Sequence, residues 1–528
     1  MSRVCVVGAG PAGALVADRL ADRGHDVTVL EAGPRFDPGE DRERMERAIR
    51  PAHTDPEVWE MGGDRDAFTA SGPHYYPLNV SRVKGVGGST NHWQGMVMRL
   101  HEADLAGANN GPAWPLSYED LRPYYLAAER ALGVAGASDN PYAPPREEPH
   151  PMPAFPPSYS DSLFAEACEA VGVDMHSVPN ARNSEPYDDR SACVGYGTCK
   201  PVCASGAKYS ADHTIAKAEA KGVEVVAEAP VQRLVTDASG ERVARAEYVT
   251  EGETRTLDAD GFVLAAGGVE IPRLLLLSAD DAHPDGLANS SGLVGRYFHE
   301  HLFAGMGGTL DEPTRQNHVG FITSESHRFY DDPGAGTDAI PASDADLAPF
   351  KLEFLNYAGP SPVEMALAGD GWGDDLLDRL RDAYGTHVAM GGLVGQPPLA
   401  RNRIRLDESR TDDHGNPVPD VVWEIDAKTR RTLARANEIQ RAVLEAMGVD
   451  IGWSVGPENT GPAYHHMGTT RMSRDPDAGV VRPDCRTHDV ANLWLPSSSV
   501  FPNGGAVNPT LTIAALALRT ADAVDSAL

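Results

Sequence analysis

Two short stretches near the end of the chain carry residue types suited to proton and hydrogen-bond chemistry. The first is Ala463-Tyr464-His465-His466-Met467-Gly468-Thr469-Thr470. The second is Asn503-Gly504-Gly505-Ala506-Val507-Asn508-Pro509-Thr510. A His ahead of a Gly-Thr turn can take a hydroxyl proton, because an unperturbed imidazole titrates at about 6.5. An Asn ahead of Pro-Thr can hold the same oxygen through its carboxamide. Together they suit removal of hydride from an alcohol carbon, provided something accepts the hydride.

The other end of the chain offers a place for that acceptor. The apolar strand Arg3 to Val7 runs into Gly8-Ala9-Gly10-Pro11-Ala12-Gly13, then a helical run to Arg23, then the strand Asp26 to Leu30 ending in Glu31. This is a dinucleotide fingerprint between its two strands. Gly8 makes the tight turn, Gly10 admits a pyrophosphate and Gly13 lets helix and strand pack. Helix amides meet the phosphates, and the Glu31 carboxylate meets ribose hydroxyls. No second fingerprint follows; Gly292-Leu293-Val294-Gly295 lacks the spacing. One tightly held dinucleotide, a flavin rather than a shuttling nicotinamide, is the expectation.

A second glycine-rich stretch, Gly85 to Gly95, carries Gly87, Gly88, Ser89, His92 and Trp93. It reads as backbone pressed against a flat ligand. Further on, Cys193, Cys199 and Cys203 fall within eleven residues among Gly and Pro. Such a loop can wrap a metal. Three thiolates suit an iron–sulfur cluster with one corner open, or zinc with His213 as a fourth ligand, or they are free thiols.

The positioning elements read as a mixed α/β (α+β overall) chain: a Rossmann-like cofactor domain and an antiparallel-sheet substrate domain. Residues 34–80 and 101–190 are read as covering segments, with helices at Tyr118 to Leu132 and Ser162 to Val171. The cysteine loop spans 190–206. Strands are expected at Val223 to Val226 and Val231 to Val235. Gly261 to Gly268 reads as a buried strand ending in Gly-Gly, with a helix opening near Pro272. Residues 1–299 form the cofactor domain, 300–455 the substrate domain, and 456–528 return to the cofactor domain. Within 300–455, Arg403 to Leu406 and Val421 to Ile425 read as strands with one wet face, and Ala427 to Met447 as a long amphipathic helix. A final helix runs from Thr510 to Val524.

Composition bounds the setting. The 528 residues carry a formal net charge of −31, and only seven are Lys. Such a surface suits strong salt, where the Debye length shrinks to about 3 Å, and argues against nucleic acid or anionic lipid as a partner. Nothing resembles a signal peptide, and no apolar run reaches the ~20 residues of a membrane span. A cytoplasmic protein is the expectation, unless a signal-bearing partner exports it.

These marks resemble the glucose–methanol–choline (GMC) flavoprotein oxidoreductases from end to end: the fingerprint with Glu31, Gly87-Gly88-Ser89-Thr90, Ala266-Gly267-Gly268-Val269-Glu270-Ile271-Pro272-Arg273, His465 before Gly468-Thr469, and Asn508-Pro509-Thr510. The resemblance implies FAD-dependent oxidation of a sugar, aldonate or polyol. It places the base at His465, the oxygen-holding amide at Asn508, and cofactor contacts at Gly8, Gly10, Gly13, Glu31, Gly87, Gly88, Ser89, His92, Val231, Ser497 and Thr510. His466 falls behind His465. The cysteine loop is similar to that of bacterial sugar dehydrogenase catalytic subunits, in which such thiols hold a three-iron, four-sulfur (3Fe–4S) cluster that feeds a cytochrome or other acceptor beside a small subunit. This chain has Ala204 where those loops usually have Pro. His92 stands where pyranose oxidases bond the flavin covalently; a non-covalent contact is the other reading. Ser497 replaces a usual Asp. An oxygen-using oxidase without a cluster, a lyase with structural flavin and a non-catalytic electron carrier are the competing readings.

Overall fold

The computed structural model describes residues 1–48, 55–108, 110–314, 320–356, 359, 362–367 and 371–528. The part of the 34–80 reading that falls on 49–54 lies outside them.

A five-stranded parallel sheet runs in the order Leu493–Trp494, Gly261–Leu264, Arg3–Val7, Asp26–Leu30, Glu224–Val226. Its central strands are apolar on both sides because helices cover both faces; Val4, Val6, Val29, Phe262 and Val263 are fully buried. The first strand turns into the helix Pro11–Asp22. A Cβ on Gly13 would stand 1.9 Å from the Gly8 carbonyl oxygen, so helix and turn pack only because Gly13 has none. The last helix, Thr510–Ala527, lies between Pro11–Asp22 and Tyr118–Leu132. Arg19 clamps it through Asp522 at 2.7 Å.

Between the third and fourth sequential strands of this sheet sits an antiparallel unit, Val231–Thr236, Val243–Thr250 and Glu253–Asp258. The following helix is Gly267–Leu277. It opens five residues before the expected Pro272, which lies inside it. Proline has no N–H, so one carbonyl in the preceding turn loses its helical donor. That of Gly268 accepts instead from the Thr469 hydroxyl at 2.7 Å. The exchange ties the helix start to the Gly468-Thr469 turn.

The second sheet is antiparallel, in the order Asp450–Val455, Gly305–Thr309, His387–Gly395, Phe350–Leu355, Ile322–Ser326, His176–Ser177. His301–Phe303 pairs with the far end of His387–Gly395. The helix Ala427–Ala446 covers one face, with Asp426 accepting from the Lys428 and Thr429 amides as its cap. Leu433, Ile439, Val443 and Leu444 on its buried stripe meet Phe350, Leu352 and Phe354. Each such side chain contributes roughly 1.5–3 kcal/mol on burial.

The opposite face differs from the wet face read in the sequence. Phe350–Leu355 is buried at every position, because the cofactor domain packs over it, and its alternate residues Lys351 and Glu353 are enclosed. The segments that suggested a wet face, Arg403 to Leu406 and Val421 to Ile425, fall in a separate hairpin, Arg403–Thr411 with Pro417–Val422, against the helix Gly267–Leu277. The second of these strands stops at Val422.

Candidate active site

A cavity of about 950 Å³ lies between the two sheets. Gly8, Gly10, Glu31, Gly88, Ser89, His92, Val231, Ser497 and Thr510 line it, with His465 and Asn508. Gly13 and Gly87 stand behind, shaping the turns. A Cβ on Gly88 would come within 2.9 Å of the Gly10 Cα, so the two glycine loops meet backbone to backbone. Glu31 accepts from the Ala9 amide at 2.7 Å and the Gly33 amide at 3.0 Å, which fixes its carboxylate at the end of the second strand. Burial raises its pKa. Ser497 spends its hydroxyl on Ser499, accepting from the amide at 3.0 Å and donating to the side chain at 2.7 Å.

His465 sits on a stretch that runs antiparallel to His299–Phe303. His299 and Met467 exchange both backbone hydrogen bonds at 3.1 Å, and the Ala463 amide donates to the His301 carbonyl at 2.8 Å. Tyr464, at φ +66°, turns the chain between them. This register puts His465 Nδ1 2.8 Å from His301 Nδ1.

The network assigns the tautomers. His301 Nε2 faces the carbonyl oxygens of Gly504 and Gly505 at 3.2 and 3.0 Å, so it must donate. The Nδ1 of neutral His301 is then an acceptor. His465 therefore donates from Nδ1, which makes its Nε2 the acceptor on the cavity side. The Asn508 Nδ2 is 3.5 Å from that nitrogen, and the Asn508 Oδ1 is buried without a partner. An alcohol oxygen fits between the two side chains.

Against the value near 6.5 expected from sequence, the His465 pKa is lowered well below it. Burial is the first cause, and the His301 ring and the Lys351 ammonium add to it. The site keeps this imidazole neutral, and its proton-accepting power depends on charge developing beside it.

Three supporting residues went unread in the sequence. Glu300 accepts from the His465 amide at 2.8 Å and the His301 amide at 3.2 Å, and its other oxygen meets the Tyr76 hydroxyl. Burial pushes its carboxyl up to about 8. His301 itself is the third. The run His299-Glu300-His301 ahead of an apolar pair was the available signal. His466 turns away to Ser81 at 3.3 Å, packed by Tyr76 and Phe298.

His92 is buried, and its Nδ1 has no hydrogen-bond partner. Burial, then Lys200 and Lys208, pull its pKa to about 3. Lys208 links this loop to the cysteines, donating to the Asn91, Trp93 and Cys199 carbonyls at 3.2, 2.6 and 2.6 Å. Its amide donates to Cys203 Sγ at 3.4 Å, and Arg182 donates to Cys199 Sγ at 3.7 Å. Arg182 is 1% exposed, with Nε and Nη2 unpartnered. The three sulfurs do not close to within 4.8 Å of one another. His213 is turned to Asp188 at 3.2 Å. A compact zinc tetrahedron is therefore not formed. Cations and unspent N–H groups around the thiols fit a larger anionic group.

Comparison with known proteins agrees with the geometry. Family models described as GMC oxidoreductase match residues 74–303 and 398–517, and an NAD(P)-binding Rossmann-like model matches 6–61. The chain belongs to the GMC oxidoreductase family. It is 33% identical to the fructose dehydrogenase large subunit of Gluconobacter japonicus, over 99% of this chain and 97% of that one. It is 30% identical to the 2-methyl-1,2-propanediol dehydrogenase of Mycolicibacterium austroafricanum, over 98% and 94%. The solved pyridoxine 4-oxidase from Mesorbium loti shares the fold, with a TM-score of 0.67 at 19% identity and 99% coverage of each chain. As a GMC oxidoreductase the chain carries FAD and acts on CH–OH groups. Among the described residues, no helix is long and apolar enough to cross a membrane.

Proposed function

We propose that the protein oxidises an alcohol group of a sugar, aldonate or polyol, as the relatives' names suggest for the substrate class, and sends electrons out through a 3Fe–4S cluster. The observation that carries the reading is the proton-accepting Nε2 of His465 beside the Asn508 carboxamide, with its tautomer fixed by His301. Residues 300–455 form the substrate-binding unit, and 1–299 with 456–528 hold the cofactor.

His465 Nε2 takes the hydroxyl proton, and Asn508 Nδ2 donates to the same oxygen and holds the alcohol in one pose. The positive charge developing on the His465 ring is shared through its Nδ1–H with His301, whose Nε2–H is held by the two glycine carbonyls. Such a base is worth roughly 10²–10⁴ in rate, and positioning adds to it. FAD, when bound, supplies the hydride acceptor. Glu31 and the glycine loops hold its nucleotide half. The neutral His92 ring, with a nitrogen unspent, suits covalent attachment at the flavin's 8α-methyl.

Cys193, Cys199 and Cys203 would hold the cluster, which supplies one-electron transfer. Arg182, Lys208 and the Lys208 amide offset its negative charge. Lys208 spans from this loop to Asn91 and Trp93 on either side of His92, so it ties the cysteine loop to the glycine-rich loop that lines the cavity. A cytochrome or other one-electron acceptor, beside a small subunit, is the fitting partner. The charge of −31 suits work in strong salt.

The test is anaerobic purification in high salt, followed by a screen of sugars, aldonates and polyols with ferricyanide. Bleaching of a yellow protein holding about three irons, as the 3Fe–4S assignment requires, supports the reading. A yellow, iron-free protein that makes peroxide moves it to the oxidases, and no bleaching by any alcohol removes it.

A further inference from the structure

The buried face of the second sheet holds a row of ionisable groups that the chemistry above does not use. Glu353 lines the active-site cavity. Its Oε1 lies 2.9 Å from Lys351 Nζ, which lies 2.8 Å from Glu325 Oε2. Glu325 Oε1 is 3.2 Å from His327 Nε2, and His327 Nδ1 is 3.2 Å from His101 Nε2. His101 Nδ1 is 3.0 Å from Asp331, whose side chain is 48% exposed. Five of these six side chains are buried, Lys351 and Glu325 completely. Enclosing so many ionisable groups is costly unless each has a partner, and here the partners form one file from cavity to solvent.

We propose that this file is the proton exit of the enzyme: protons released in the cavity enter at Glu353 and leave at Asp331. The inference rests on the reading that electrons depart without their protons. Oxidising one alcohol to a carbonyl frees two electrons and two protons. A one-electron acceptor removes only the electrons, so both protons must leave the cavity by another route.

The hydrogen-bond accounting supports motion rather than a fixed salt bridge. Three contacts join Glu325 to Asp331 through the two rings, and two neutral imidazoles bring only two N–H protons. With His101 Nδ1–H on Asp331 and His327 Nδ1–H on His101, the contact left short is Glu325 to His327. Those two atoms are buried, close, and without a hydrogen-bond partner. A proton handed by the Lys351 ammonium to that contact lets His327 Nδ1–H pass to His101 and His101 Nδ1–H pass to Asp331 and water. Lys351 then recovers a proton from Glu353. One proton enters, one leaves, no bond between heavy atoms changes, and the two rings, left as their other tautomers, turn over before the second proton follows.

The surrounding charges keep that proton loosely held. Burial pulls His327 to about 4, against the Glu325 carboxylate. Burial would raise Glu325, but Lys351 and then His327 outweigh it and hold it low. The other groups facing His327 are His101, His176, Asn140 and Tyr330. His176, Glu325 and His327 could be taken for a metal site, since their donor atoms lie within 4.8 Å. However, His176 Nε2 already accepts from the His327 amide at 3.1 Å, its Nδ1 faces the Ser177 carbonyl at 3.0 Å, and the Lys351 ammonium sits on Glu325.

The test compares wild type, Glu325→Gln and Asp331→Asn as loaded enzymes, with ferricyanide and whichever screened alcohol bleaches the wild-type flavin fastest. Asp331 is a surface position, so its variant folds. The expectation for Glu325→Gln is a turnover loss of about tenfold, below the ~10² that losing a direct base costs, with a smaller loss for Asp331→Asn. Both variants should show a solvent deuterium effect absent from wild type and recover with added imidazole. Flavin bleaching in a single anaerobic turnover should stay at the wild-type rate. Without substrate, ¹⁵N spectra of histidine-labelled protein should show the His101 and His327 signals moving together in Asp331→Asn. Unchanged turnover in both variants overturns the proposal. So does a parallel loss of bleaching and turnover with no isotope effect or rescue, or a stoichiometric metal that Glu325→Gln releases. Failure of the alcohol-oxidation reading shows differently, as a wild type that no alcohol bleaches.

Discussion

Among the described residues two pairs of imidazoles meet nitrogen to nitrogen, and they differ in what holds their outer ends. In the cavity, His465 meets His301 at 2.8 Å, and His301 is anchored by two carbonyls. Farther along the same buried face, His327 meets His101 at 3.2 Å, between two carboxylates. A carbonyl can only accept, so it freezes one tautomer and leaves a defined lone pair at the working end. A carboxylate can give back a proton, so neither tautomer is fixed. The first pair is built to aim a base and the second to let protons pass, although the residue type is the same.

The largest effect should come from removing the aimed lone pair. His465→Ala is expected to keep the protein yellow while slowing its bleaching by alcohol at least 100-fold, within the roughly 10²–10⁴ that a positioned base contributes. Stopped-flow absorbance of the loaded enzyme reads this directly. Bleaching near the wild-type rate would erase the functional difference between the pairs. His301→Phe keeps a ring but removes the acceptor that fixes the tautomer. It should cost about tenfold, less than loss of the base itself, with binding of the alcohol little changed. An equal loss in both variants would mean that His301, not His465, faces the substrate.

A third measurement concerns pH. Burial, then His301, holds His465 well below 6.5, so the ring is neutral throughout the range where an ordinary His would be gaining charge. The bleaching rate should show no break near 6.5 and should fall only at more acid pH. A break near 6.5 would show an exposed, ordinary histidine and would remove the distinction drawn from the carbonyl anchors.

The parts of this site that were legible in the sequence are those fixed by local chemistry. Gly13 was readable because a helix packed on a strand leaves no room for a Cβ, and the His465 and Asn508 stretches were readable because their turns are local. The partners of His465 were not. His301 is separated from it by 164 positions and acts only through the register that pairs His299 with Met467. The Pro272 helix start was misplaced because proline usually opens a helix, and here the Thr469 hydroxyl takes over a freed carbonyl. A wet face was expected from the alternation at Arg403 to Leu406, yet Lys351 and Glu353, which alternate with Phe and Leu in the same way, are buried. That pattern describes water or a covering domain equally well, and only packing decides between them.

The smallest effect lies at Glu300, which supports the aimed pair from behind and gives the comparison a thermodynamic edge. Its carboxyl is fully buried and accepts from two backbone amides, yet burial dominates and lifts it from 4.5 to about 8. Its folded pKa is therefore above its unfolded one. Between these values the native state binds a proton that the unfolded state has released, so stability falls as pH rises. The loss approaches at most about 1.4 kcal/mol per pH unit and ends once pH passes the folded value. Glu300→Gln keeps the shape and cannot ionise. Its melting temperature relative to wild type should therefore rise steadily from about pH 5 to pH 8 and level off above. A flat difference would mean that Glu300 is already ionised at neutral pH. The His465 and His301 amides would then point at a carboxylate, and the cavity pair, like the distant one, would have a negative charge beside it.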